Sequence, residues 1–206
     1  MRTKTIELFK FDELSDAAKE KARDWYRPLA CDDYDWFEFV HEDAVACGGI
    51  LGIMFDHVGK TVKTPQIYFS GFGSQGDGAC FEGSYAYAKG ATKKIRQHAP
   101  TDDVLHSIAD DLQALQRRHW YRLEAKCDHH GHYHHSHSMR VETTDSNTGN
   151  EVDNNTSTEM QDLMRRFADW IFDSLRNEYN YQTSDEQIDE MLRANEYEFT
   201  SEGRKS

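Results

Sequence analysis

The chain has 206 residues, a length that fits one large domain or two small ones, and its 37% hydrophobic and 12% aromatic content is enough for a core and argues against disorder. A formal net charge of −13 repels phosphate backbones, which excludes general DNA or RNA binding and suits a basic partner. No apolar run approaches the roughly 18–20 residues of a membrane span, and the four cysteines (Cys31, Cys47, Cys80 and Cys127) form neither a CxxC pair nor a disulfide framework.

Residues 5–11, "TIELFKF", alternate and predict a strand, without the apolar stretch of a signal peptide. Ser15 is placed to cap a helix over "DAAKEKARDWYR" that Pro28 stops. Residues 33–46 carry Trp36, Phe37, Val40, Ala44 and Val45 at helical spacing, and Gly48 and Gly49 are expected to end that helix. "ILGIMFDHV" and "QIYFSGF" predict strands around a "GKTVKTP" connection, and residues 79–89 alternate again. A short basic helix from Thr92 ends before Pro100, and Thr101 is placed to cap the next, with Val104, Leu105, Ile108, Leu112 and Leu115 on one stripe. Residues 121–143 predict a hairpin and residues 144–157 a surface loop. Capping-box pairs Thr158/Gln161 and Ser184/Gln187 predict two further helices, the first over 158–179, before a last strand "EYEFT" and a charged tail, 201–206. This mixed order predicts a single α+β domain over 1–206, an antiparallel sheet packed by amphipathic helices.

"CDHHGHYHHSHSM" holds six of the eleven histidines. With Gly131, His132 and Tyr133 as the loop, Ala125 faces Met139 and Leu123 faces Val141, while Glu124 meets Arg140 and Arg122 meets Glu142. A slip of one residue breaks both patterns. This register gathers Cys127, His129, His135 and His137 at the hairpin tip, a donor set suited to zinc or another late transition metal. A catalytic ion there also needs a nearby carboxylate such as Asp128 or Glu82. The alternative is an exposed, solvated loop, in which case no cofactor is implied.

"YFSGFGSQGDGACFEG" reads first as a hairpin, because Asp77-Gly78 is a turn dipeptide and Gly73 and Gly76 permit positive φ. Gly71 and Gly83 remain unexplained by turn chemistry, since glycine weakens a strand. A ligand-binding alternative therefore uses Gly71, Ser74, Gln75, Asp77, Glu82 and Gly83, with exposed amides as an anion nest for a sugar or small nucleotide-like ligand. No Walker or dinucleotide fingerprint is present.

The blocks "FDELSDAAKEKARDWYR", "IYFSGFGSQGDGACFEGSYAYAKGA", "IADDLQALQRRHWYRLEA" and "ANEYEFTSEGR" resemble a family of small proteins from tailed bacteriophages. Its members often carry the label "antitoxin of toxin–antitoxin stability system". The resemblance spans nearly the whole chain and supplies no catalytic or binding residues. Relatives have a bulky aromatic, usually Trp, where this chain has Gly73, and the histidine density is particular to this chain. The resemblance implies a protein of the host bacterial cytoplasm that binds and neutralises a host protein or a small signalling nucleotide. Two alternatives stand beside it: a metal-assisted hydrolase using the histidine tip, and a phage accessory or structural protein without a ligand. The aromatic excess leaves room for a homodimer.

Overall fold

A computed structural model describes residues 7–32, 36–59 and 63–206. The start of the first expected strand (Thr5 and Ile6), the first residues of the second helix (33–35) and part of the "GKTVKTP" connection (60–62) lie outside them. In chain order the elements are β1 (Phe9–Lys10), α1 (Asp16–Tyr26), α2 (Glu38–Leu51), β2 (Ile53–Phe55), β3 (His57–Val58), β4 (Thr64–Pro65), β5 (Ile67–Phe69), β6 (Ala79–Phe81) and β7 (Gly83–Ala86). There follow α3 (Ala91–His98), α4 (Asp103–Arg118), β8 (Leu123–His129), β9 (Met139–Asp145), α5 (Asn154–Gln182), α6 (Asp185–Ala194) and β10 (Glu198–Phe199). The fold is α+β with antiparallel sheets, the main one four-stranded in the order β2-β7-β8-β9. None of the described helices is long and apolar enough to cross a membrane.

The chain groups into two compact units, Met1–Glu38 with Arg176–Ser206, and Phe39–Leu175. In the terminal unit, Ala18, Ala22 and Tyr26 recur every four residues and bury one face of α1. They pack with Phe11, Leu14, Ile188, Leu192 and Phe199, and each large buried side chain contributes about 1.5–3 kcal/mol. Arg23 grips Asp189 through two bonds of 2.7 and 2.9 Å, which holds the guanidinium above its ordinary range. Ser184 caps α6 by accepting from the Gln187 amide, as its position predicts. The charged tail is tied down: Ser206 donates its backbone N–H to Glu198, and Gly203, at φ +80°, passes where a Cβ would lie 2.1 Å from the Ala18 carbonyl oxygen.

In the central unit α2 runs through Gly48 and Gly49 to Leu51, and Gly52 at φ +95° ends it instead. Gly48 is retained for proximity, since its missing Cβ leaves space for the Phe55 ring and the Ile53 carbonyl. The inner face of the main sheet carries Ile53, Phe55, Gly83, Tyr85, Leu123, Ala125, Cys127, Met139 and Val141, all buried. Phe55 and Phe81 meet Phe167 of α5 edge-on or tilted. Buried Gln116 of α4 bonds the Tyr85 hydroxyl and both backbone groups of Leu123. Helix α4 is capped by Asp102 rather than Thr101, because a carboxylate that accepts from Leu105 N also receives the Trp170 indole N–H. Helix α5 starts four residues before Thr158 for a similar reason. The Asp153 carboxylate takes the amides of Asn155 and Thr156, while the Thr158 hydroxyl turns back to the Asn154 carbonyl.

Candidate functional site

The expected register of the histidine hairpin is corrected by the structure. Cys127 pairs with Val141, Ala125 with Thr143 and His129 with Met139, four residues away from the expected pairing. A shift of four keeps every side chain on its face, because the strand period is two. It also keeps opposite charges across the outer face, now Lys126 with Glu142 and Asp128 with Arg140. The loop is correspondingly longer and closes through a 3₁₀ turn at Ser136–Ser138.

The register separates the expected metal ligands. Cys127 is fully buried under the sheet, and burial pushes its thiol up to about 12, with Asp128 and Asp56 adding to the rise. Three tip imidazoles spend a ring nitrogen on backbone. His129 Nε2 donates to the Tyr133 carbonyl (3.0 Å), His134 Nδ1 donates to that of Phe69 (3.2 Å), and His135 Nδ1 accepts from the His137 amide (3.0 Å). His137 stacks on His135 with ring centroids 5.3 Å apart. No three of the described residues Cys127, His129, His135 and His137 bring ligand atoms within 4.8 Å of one another. Among the described residues, the one group of three or more His, Cys, Asp or Glu with ligand atoms within 4.8 Å of one another lies elsewhere, at Asp43, Cys47 and His98.

The glycine-rich hairpin is shorter than expected. β5 pairs with β6 from Ile67↔Phe81 to Phe69↔Ala79, and the Ser70 amide reaches the Gly78 carbonyl. The Asp77 carboxylate folds into its own loop and accepts from the amides of Gly73 (2.8 Å) and Ser74 (2.6 Å). It also lies over Gly71, where a Cβ would come within 3.3 Å of it. The anion nest exists, and Asp77 is its anion. Ser74 and Gln75 are exposed. Gly83 serves the sheet, since a Cβ there would stand 2.2 Å from the Met54 carbonyl oxygen across the β2–β7 pair. Glu82 breaks the expected long strand into β6 and β7. Its backbone belongs to a closed three-way ring in which Asp56 N donates to Glu82 O, Glu82 N to Gln66 O, and Gln66 N to Asp56 O.

The fold also joins two stretches that are separate in sequence. Gly78 packs against His135, where a Cβ would lie 3.0 Å from both the Cα and the Cδ2 of that histidine. The Ser70 hydroxyl donates to the His134 carbonyl (3.1 Å), and Tyr68 stacks on His134 at 5.4 Å. Burial, then Glu82 and Cys80, raise the Tyr68 phenol. On the other side of the hairpin, Phe69, Phe72 and Phe172 of α5 stack in a ladder. Sequence inspection could not single out Tyr68, Ser70 or His134, because their roles depend on contacts across more than sixty positions. The result is a composite surface with a fixed base and an exposed rim of Gly73, Ser74, Gln75, His130, His132, Tyr133 and His137. A groove of 610 Å³ between α4 and α5 is lined by the ion pairs Arg166–Asp111 and Arg118–Glu159, and one of 480 Å³ lies over the outer sheet face. Of the sequence-expected residues only Gly83 lines either of them.

A family model described as "Domain of unknown function (DUF8835)" matches residues 36–185, and the chain belongs to that family. No curated protein and no solved structure matches it.

Proposed function

We propose that this member of the DUF8835 family is a phage-encoded, non-enzymatic protein that binds and neutralises a basic host protein in the bacterial cytoplasm. The observation that carries the reading is the composite rim. Tyr133 is 73% exposed on a tip whose base is held by the Ser70–His134 bond and the Gly78–His135 contact. Exposed aromatics on a rigid base are what a protein partner anchors on. A Cβ at Gly73, on the same rim, meets nothing within 4 Å, so the bulky aromatic of the phage relatives fits there without rearrangement. The net charge of −13 selects a basic partner and speeds encounter with it. The protein target is favoured over a small signalling nucleotide, because the amides that would hold a phosphate already hold Asp77. Metal-assisted hydrolysis at the tip is the weaker reading, since no three of its expected ligands bring donor atoms within 4.8 Å of one another.

The test is capture from host lysate with the immobilised protein, run in parallel with a His132→Ala/Tyr133→Ala variant. The expected result is one basic protein, released by salt and absent from the variant lane. Equal capture by both, or a blank from both, sinks the reading; the blank favours the accessory-protein alternative.

A further inference from the structure

Away from the rim, three metal-ligating groups converge at the corner between α2 and α3. Asp43 and Cys47 stand one turn apart on α2, and His98 is the last residue of α3. The Asp43 Oδ1 atom lies 3.8 Å from Cys47 Sγ and 3.4 Å from His98 Nε2, and one ligand atom from each residue falls within 4.8 Å of the others. Zinc bonds of about 2.0–2.3 Å in tetrahedral array put neighbouring ligand atoms about 3.3–3.5 Å apart; the two separations from Asp43 stand within a few tenths of an ångström of that spacing, and Cys47 and His98, within 4.8 Å of each other, have the larger distance to close. Cys47 is fully buried and forms the floor, while Asp43 and His98 are exposed and leave the remaining vertex to solvent.

We propose that Asp43, Cys47 and His98 bind one divalent ion of the zinc class, with water as the fourth ligand, clamping α2 to the α3–α4 corner. The donor set is mixed: thiolate, imidazole and carboxylate. It suits zinc, cobalt or nickel and disfavours calcium and magnesium, which take oxygen ligands. The framework is set by packing before any ion arrives, since Ile95 and Leu105 on either side of the corner are fully buried. A further carboxylate, Asp102, is held by the Leu105 amide and the Trp170 indole, and its charge acts on Cys47. The thiol is pushed up to about 12, by burial first and then by the negative charges of Asp43 and Asp102, so it keeps its proton. A divalent cation reverses that balance. Binding expels the thiol proton to solvent, takes Asp43 as carboxylate, and takes His98 through Nε2 once its proton sits on Nδ1.

Cobalt is the probe, because only a coordinated thiolate gives a sulfur-to-cobalt charge-transfer band. Untagged protein titrated with cobalt is expected to bind one equivalent with that band. The band should vanish in Cys47→Ser, and apparent affinity should fall about 100-fold or more in His98→Ala and in Asp43→Asn. The last two alter exposed side chains, so a circular-dichroism spectrum like that of the parent is expected for both. Cobalt bound without the band is binding by surface histidines and overturns the proposal. So does a band that survives Cys47→Ser, or an affinity unmoved by His98→Ala.

Discussion

The hairpin tip holds six histidines between His129 and His137, whereas the α2–α3 corner holds His98 alone with one cysteine and one aspartate. Among the described residues, no three ligand atoms converge in the dense region, whereas in the sparse one three lie within 4.8 Å of one another. At the tip, residues 130–138 run through bends and a 3₁₀ turn, and three of the rings are recruited to hold the loop against β5 and against itself. At the corner, helical periodicity stacks Asp43 over Cys47, and the end of a second helix brings His98 to them. Coordination needs convergent atoms with free lone pairs, and local density supplies neither.

The largest effect that could break this contrast is on metal affinity. Replacing the exposed tip residues His130, His132 and His137 by Ala should leave the cobalt–thiolate band intact, whereas His98→Ala should cost about 100-fold; a cobalt titration of both variants decides it. Next in size is the base of the tip. Gly78→Ala sets a methyl 3.0 Å from the His135 backbone and should cost about 2 kcal/mol in urea unfolding, with faster exchange of the His135 and Ser138 amides. Asp77→Ala leaves the Gly73 and Ser74 amides without their acceptor and should cost about 1.5 kcal/mol, read by denaturation and by exchange at those two amides.

A third kind of histidine sharpens the comparison. His41 is buried on α2, and burial pushes its imidazole down to about 4. The unfolded chain takes up this proton near pH 6.5 and the folded chain does so only near 4. Its contribution is therefore complete above pH 6.5 and is lost progressively as pH falls towards 4. About 2 kcal/mol of stability should disappear between pH 7 and pH 5, and a His41→Phe variant should remove that part of the slope in paired unfolding curves.

Much of the architecture was readable from local signals. The stripes of α4 and α5, the Ser184 cap and the alternation in β8 and β9 are intra-element patterns, so they needed no partner to be recognised. The hairpin register was not readable, because pairings that differ by four residues satisfy the same period and here the same charge complementarity. Gly83 was noticed as a glycine without a turn to serve; its cause, the Met54 carbonyl, lies on a strand almost thirty positions earlier. Asp77 reads from the sequence as a turn residue first and a ligand-binding residue as the alternative; that the nearest amides in need of an acceptor are those of its own loop is visible only in the structure.

The amino-acid sequence by itself determined which segments become helix or strand and which face of each is apolar, because those depend on residues three, four or two positions apart. It also determined the acidic balance, a formal net charge of −13. Only the tertiary structure decided which polar groups meet. It paired Cys127 with Val141 in place of His137, set Gly78 against His135, and gathered Asp43, Cys47 and His98 at one corner. Such meetings depend on loop lengths and on the packing of distant elements, which periodicity does not encode.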